Sequence, residues 1–328
     1  MVADTARHRA SLASRACRAR RQCSANQLGS ATAMEQVKLD ELNRGDKAAF
    51  VSALGDIFEH SPWIPEAAYA GRPFGNVRNL QEALNGAVLG AGNERQVALI
   101  QAHPDLAGKA ALEGKITADS KLEQTSAQLD RLTEAEFATF QRLNKLYRAK
   151  FGMPFVVCVR RHGRDSILRQ FERRLQNDAA AETQSAVAEI LRIAALRLAQ
   201  RVSGPVQLEV HGRLSTHVLD NHQGRPAAGV DIEFFEVAKS GQCRLISRTV
   251  TNSDGRTDRP IMADQPVPIA QYELRFAVGE YFARVGTVTA EPPFLDVVPI
   301  RFSVAEPEAH YHVPLLVTPW SYATYKGS

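Results

Sequence analysis

Two groups of residues in this chain have the types and spacing that chemistry needs. The first lies near the end. His310 and His312 flank Tyr311, so on a strand both imidazoles point one way and Tyr311, Val313 and Leu315 the other. Upstream stand Thr216-His217-Val218-Leu219-Asp220 and Asn252-Ser253-Asp254-Gly255-Arg256. Histidine titrates near neutrality, and arginine offers a permanent charge to a developing oxyanion, so His217, His312 and Arg256 suit activation of a water. His310-x-His312 as a metal pair is the competing reading. It lacks an acidic or cysteine partner at helpful spacing, so no metal is expected.

The second group lies in the middle. Ser120, Glu123 and Gln124 stand at i, i+3 and i+4, so one helix face offers a hydroxyl, a carboxylate and an amide together. That set suits a flat, polar, urea-like ring better than a fat. Taken alone it reads first as a solvated helix face. His103 precedes Pro104, which places it at a helix end or turn where it can face a pocket. Lys150-Phe151-Gly152-Met153-Pro154-Phe155 leads through Val157 to Arg160, an apolar run that ends on a cation.

Elements must hold these groups in place. From Leu39 to about Val202 the apolar period is helical. Asn43 or Asp46 starts a helix carrying Phe50, Leu54, Ile57 and Phe58, which Ser61-Pro62-Trp63 ends. Thr133 and Glu136 form a capping box ahead of Phe137, Phe140, Leu143 and Leu146 or Tyr147. A last long helix has Val187, Ile190, Leu191, Ala194 and Leu198 on its stripe, with Arg192, Arg197 and Arg201 off it. Ser203-Gly204-Pro205 stops that helix, and the period then changes to two. Val230, Ile232 and Phe234 alternate, Tyr272 to Val285 and Phe302 to Val304 read as further strands, and Asn221 to Gly224, Asp254-Gly255 and Pro292-Pro293 are turns. The expectation is an all-α N-terminal domain, a helical bundle, followed by an all-β antiparallel sandwich.

The bulk numbers agree with two domains, since 328 residues exceed what one small core usually organises. No apolar run is long enough to span a bilayer. The net charge of +4 is mild and sits largely in residues 1–33, so neither a nucleic-acid nor a membrane partner is indicated. That first segment is rich in Arg and Ser and reads as a disordered extension, with an organellar transit peptide as the alternative. Cys17, Cys23, Cys158 and Cys243 form no C-x-x-C pair, which fits a reducing, cytoplasmic compartment. The boundaries expected are 1–33 for the extension, 34–202 for the helical domain, 203–207 for a linker and 208–328 for the β domain.

The later motifs carry a resemblance. Thr216 to Asp220, His312-Val313-Pro314-Leu315-Leu316 and Ser321-Tyr322-Ala323-Thr324-Tyr325-Lys326-Gly327-Ser328 resemble the signatures of 5-hydroxyisourate hydrolases, the enzymatic relatives of transthyretin. The likeness covers essentially all of 208–328. It implies His217, Arg256 and His312 as catalytic residues, with Tyr325 and Ser328 lining the pocket, and a homo-oligomer with sites along a channel between subunits. Lys326 departs from the arginine usual in that family, which keeps the charge but loses the planar fork.

The middle motifs carry a second. Ser61-Pro62-Trp63, His103-Pro104-Asp105-Leu106, Ser120-x-x-Glu123-Gln124 and Lys150 to Arg160 resemble 2-oxo-4-hydroxy-4-carboxy-5-ureidoimidazoline (OHCU) decarboxylases over roughly 39–202. Met153 stands where phenylalanine is usual. The resemblance implies His103 as the acid/base, completed by Glu123 and Arg160, with Pro104, Ser120, Gln124 and Val157 holding substrate and no cofactor. Hydrolysis of 5-hydroxyisourate yields the substrate of the decarboxylation, whose product is (S)-allantoin. The two resemblances therefore imply one bifunctional enzyme acting on small molecules. The alternative is one catalytic half joined to a degenerate binding module.

Overall fold

The computed structural model describes residues 36–107, 117–126, 129 and 132–327; the extension of 1–33 and Ser328 lie outside them. The helical half opens with β1 (Val37–Lys38) and the helices α1 (Leu39–Arg44), α2 (Lys47–Leu54), α3 (Trp63–Ala68), α4 (Val77–Leu89) and α5 (Asn93–Gln101). It continues with α6 (Ala118–Ser126), α7 (Glu134–Phe151), α8 (Arg164–Arg174) and α9 (Ala179–Arg201). Of the two N-cap candidates, Asp46 caps α2 through a bond from the Ala49 amide of 2.8 Å. Asn43 instead clamps the backbone of Phe74 from both sides, at 2.9 Å each way. The Thr133–Glu136 capping box forms at the start of α7. Ser61-Pro62 does not end the α2 stretch, which stops earlier in a short 3-10 turn at Gly55–Ile57. It leads into α3 instead, with proline directly ahead of the first helical residue.

Phe50, Leu54, Ile57 and Phe58 share one core with Phe140, Leu143 and Tyr147 and with Val187, Ile190, Ala194 and Leu198 of α9. Arg197 departs from expectation: it is 4% exposed and faces inward. Its neighbours Leu196 and Leu198 are both buried, so this end of α9 is enclosed on all sides and the polar side of the stripe has no solvent to face.

Helix α9 ends at Arg201, and β2 (Val202–Ser203) pairs in parallel with β1. The strands of the second half are β3 (Gly212–Ser215), β4 (Val218–Asp220), β5 (Arg225–Pro226), β6 (Asp231–Val237), β7 (Cys243–Val250), β8 (Met262–Gln265) and β9 (Gln271–Ala277). They continue with β10 (Val297–Ser303), β11 (His310–His312), β12 (Leu315–Val317) and β13 (Tyr322–Ala323). One sheet runs β10-β9-β6-β7, and shorter sheets run β11-β3-β8 and β13-β12-β4-β5. Their buried faces form a second core around Phe234, Tyr272, Leu274, Phe276 and Val298.

Two features differ from a plain antiparallel sandwich. β11 pairs with β3, and β12 with β4, in parallel. The stretch from Tyr272 to Val285 is a strand only as far as Ala277 and then becomes α10 (Val278–Arg284). Val278, Tyr281 and Phe282 sit at i, i+3 and i+4, so helical spacing replaces alternation there and all three side chains are buried.

Candidate functional sites

The helical half builds a small pocket of about 340 Å³ whose walls include His103, Pro104, Ser120, Glu123, Gln124 and Val157. His103 follows the C-terminal end of α5 and is 7% exposed. Its Nδ1 lies 2.9 Å from the Leu99 carbonyl oxygen. A carbonyl only accepts, so Nδ1 carries the proton and Nε2 keeps a lone pair. Burial drives the pKa of His103 down to about 4, against the raising effect of the Leu99 hydrogen bond and the Glu59 carboxylate. At neutral pH the ring is uncharged and able to take a proton.

Around it lies a charge cluster. Arg197 of α9 donates from Nε and Nη2 to the two oxygens of Glu123, at 2.8 and 2.9 Å. Its Nη1 reaches Glu59 at 3.1 Å. Glu59, also buried, accepts from Thr117 Oγ1 at 2.8 Å and from Ser120 Oγ at 3.2 Å. Burial raises the pKa of Glu123 despite Arg197, whereas the Thr117 hydroxyl, Arg197 and His103 together hold that of Glu59 down against burial. Gln124 accepts from the Ala107 amide at 3.0 Å, which fixes the loop after His103.

Ser120, Glu123 and Gln124 therefore share one inward face, as their spacing predicts, and the solvated reading fails. Arg160 does not line this pocket. It stands beyond Val159 on a cavity of about 760 Å³ between the two halves, and its charge acts on Glu123 from there. Sequence reasoning missed Glu59 and Arg197. The available signals were an acid beside His60-Ser61-Pro62-Trp63 and an arginine framed by two leucines.

In the β half, His312 Nδ1 and His310 Nε2 both contact Ser215 Oγ, at 2.9 and 2.8 Å. Parallel register sets His310 beside Arg213 and His312 beside Ser215, which puts all four side chains on one face. His217 bridges antiparallel to Arg256. The turn just ahead of Arg256 needs Gly255, with φ +70°, because a Cβ there would sit 2.3 Å from the Val218 carbonyl oxygen. Nε2 of His217 is buried and has no hydrogen-bond partner among the described residues. Burial and the charge of Arg256 lower the pKa of both His217 and His312, so both rings are neutral bases at pH 7. Ser215 was the residue missed here.

The C-terminal stretch closes over this group. The Gly327 amide donates to the His312 carbonyl at 2.9 Å. Lys326 Nζ lies 5.0 Å from the centre of the Tyr311 ring, so the ammonium sits over the aromatic face. Tyr325 remains 59% exposed at the rim.

Comparison with known proteins matches both halves. The OHCU decarboxylase family model covers residues 43–199, and the HIUase/transthyretin family model covers residues 214–327. An OHCU decarboxylase of Haloferax volcanii is 43% identical over 170 residues, which is 52% of this chain and 99% of that protein. A 5-hydroxyisourate hydrolase of Halalkalibacterium halodurans is 48% identical over 117 residues, 36% of this chain and 98% of that one. A crystal structure of (S)-allantoin synthase, 33% identical, covers 89% of this chain and 100% of its own at a TM-score of 0.47. The chain belongs to the OHCU decarboxylase family through its helical half and to the HIUase/transthyretin family through its β half. Among the described residues no helix is long and apolar enough to cross a membrane.

Proposed function

We propose that this chain is a bifunctional enzyme of urate degradation that hydrolyses 5-hydroxyisourate and decarboxylates the resulting OHCU to (S)-allantoin. The observation that carries this reading is the presence in one chain of two separate sets of neutral, base-competent histidines. One faces a buried carboxylate–amide pocket and the other lies beside an arginine.

For the hydrolysis, His217 Nε2 and His312 orient a water and take its proton, and Arg256 holds the carbonyl oxygen as negative charge builds on it. The C–N bond of the ring opens, and the product carries a new carboxylate. For the decarboxylation, Ser120 and the amide of Gln124 hold the ring. His103 Nε2 takes the hydroxyl proton as the carbon–carbon bond to carbon dioxide breaks. The electron pair passes into the ring, whose nitrogen takes up a proton from solvent, and His103 returns the hydroxyl proton to one face of the ring carbon. Glu123 and its Arg197 clamp fix that face, and Arg160 supplies positive charge from beyond Val159. No cofactor is needed, because the ring itself delocalises the electrons.

We take 34–202 and 208–328 as the functional halves, 203–207 as linker and the cytoplasm as the compartment. A homo-oligomer, dimer or tetramer, fits the exposure of Trp320, Tyr322 and Tyr325 around the second site.

Freshly prepared 5-hydroxyisourate, followed by ultraviolet absorbance and circular dichroism, tests the assignment. The expected result is loss of hydrolysis alone in His312→Ala and of decarboxylation alone in His103→Ala. If neither substitution slows its own step, the assignment fails.

A further inference from the structure

Ser215 Oγ stands between two imidazoles, 2.9 Å from His312 Nδ1 and 2.8 Å from His310 Nε2. The ring centroids are 6.3 Å apart and the planes are tilted by 51°, so the hydroxyl is the link between the rings. A hydroxyl has one proton to give. Ser215 therefore donates to one ring and accepts from the other. His312 serves as a base through Nε2 only if Nδ1 carries its proton, and Nδ1–H then donates to Ser215 Oγ. The serine proton is left for His310 Nε2. The three groups form a directed row that begins at a half-buried ring and ends on an exposed one.

The surroundings keep the far end of the row open. Parallel pairing sets Arg213 beside His310, and Arg213 is itself exposed. Burial and the Arg213 charge hold the pKa of His310 low, so the ring rests neutral and can accept. The nearest acid in the chain, Glu308, is taken up by Arg161 of the helical half at 2.7 Å. Backbone bonds from Ile269 N to the Arg161 oxygen, 2.8 Å, and from Gly163 N to the Ile269 oxygen, 3.1 Å, hold that contact between the halves. Among the described residues no carboxylate bonds to the His310 ring, so a proton arriving there is not trapped in an ion pair.

We propose that His312, Ser215 and His310 form a proton relay for the hydrolysis, in which His310 carries the charge while the tetrahedral intermediate stands. This rests on the hydrolase reading above. As the water oxygen bonds to the ring carbonyl carbon, its proton goes to His312 Nε2. The Nδ1 proton passes to Ser215 Oγ, and the serine proton passes to His310 Nε2. Positive charge then sits on a ring open to solvent and not on the one whose pKa Arg256 lowers. When the C–N bond breaks the row runs backwards. His312 Nε2 gives its proton to the ring nitrogen, Ser215 refills Nδ1 and His310 refills Ser215. The second proton of the water is lost as the product carboxyl group ionises, and all three residues are restored.

The test is a proton inventory, the rate of hydrolysis by the full-length protein in mixtures of light and heavy water. The wild type is expected to give a bowed line, because several protons move in one step. His310→Gln keeps an acceptor for the serine proton but cannot take the charge. It should give a straight line, with KM unchanged, decarboxylation intact and kcat of hydrolysis about tenfold lower. That loss is smaller than the roughly hundredfold or more of a general base, since His312 still takes the first proton. Added imidazole should restore His310→Ala and leave Ser215→Ala slow, because there the row is cut between the rings. A bowed line or full kcat in His310→Gln, or failure of imidazole to restore His310→Ala, overturns the relay. Absence of hydrolysis in the wild type overturns the hydrolase reading instead.

Discussion

Arg197 grips Glu123 with two parallel bonds, Nε to Oε1 at 2.8 Å and Nη2 to Oε2 at 2.9 Å, from a helix 74 residues further along the chain. The same guanidinium holds Glu59, so one cation serves a buried and a partly buried carboxylate. Arg197→Met removes the guanidinium that both acids share. Breaking a buried pair in this way costs about 3 kcal/mol or more. Arg197→Lys keeps the charge but loses the fork. The expected outcome is a clearly lowered unfolding midpoint for Arg197→Met. For Arg197→Lys a milder loss is expected, with decarboxylation reduced at least tenfold and hydrolysis unchanged. A lysine variant with full decarboxylation would show that the fork does not position Glu123.

Two buried histidines set a pH dependence of stability. His103 and His162 both fall from an ordinary 6.5 to about 4, chiefly through burial. Between those values the unfolded chain binds protons that the folded chain refuses, so stability rises with pH across the window and is lost as pH falls from 6.5 toward 4. Urea midpoints measured from pH 7.5 to 5 should drop, and His162→Gln should flatten that slope. The same shift keeps His103 in its basic form, so the acid limb of kcat/KM for decarboxylation should lie well below 6.5.

Ser215 ties His312 to His310 through one hydroxyl. Ser215→Ala removes the hydroxyl that both rings contact. Hydrolysis should fall roughly tenfold to a hundredfold, in the range attributed to a positioned general base, with decarboxylation intact. Ser215→Thr retains the hydroxyl and should recover part of the rate. Steady-state assays of the two steps distinguish these outcomes.

Gly327 has no room for a side chain. A Cβ there would meet His312 Cδ2 at 2.8 Å. Gly327→Ala must therefore push the ring or lift the terminal stretch. A misplacement of about 1 Å can cost up to about a hundredfold in rate. The expected effect falls on kcat of hydrolysis, with the unfolding midpoint almost unchanged. A fully active Gly327→Ala protein would mean that the His312 ring is not confined by this stretch.

Much of both sites could be read from residue order alone. Ser120, Glu123 and Gln124 fall on one face because helical spacing is local, and His310 with His312 because strand alternation is local. Glu59 and Arg197 escaped for the opposite reason: 138 residues separate them, and only the packing of α9 against the start of the domain brings them together. Arg197 was assigned to solvent by a stripe argument that presumes a helix with one free side. Ser215 escaped because a serine in a strand signals nothing until its partners on β11 are known. The Val278–Arg284 helix was hidden because apolar residues of a short helix and of a strand look alike when the segment is brief.

The contact between the halves changes what the linker is for. Val206 is 52% exposed and holds φ +51°, an unfavourable conformation for a β-branched residue and an accessible place for a protease. The Arg161–Glu308 pair, the strand-like bonds at Ile269 and the bond from Lys239 N to Asp165 do not depend on that peptide. A single cut there should yield two fragments that elute together and still turn 5-hydroxyisourate into allantoin, a nicked enzyme whose wholeness resides in its surfaces.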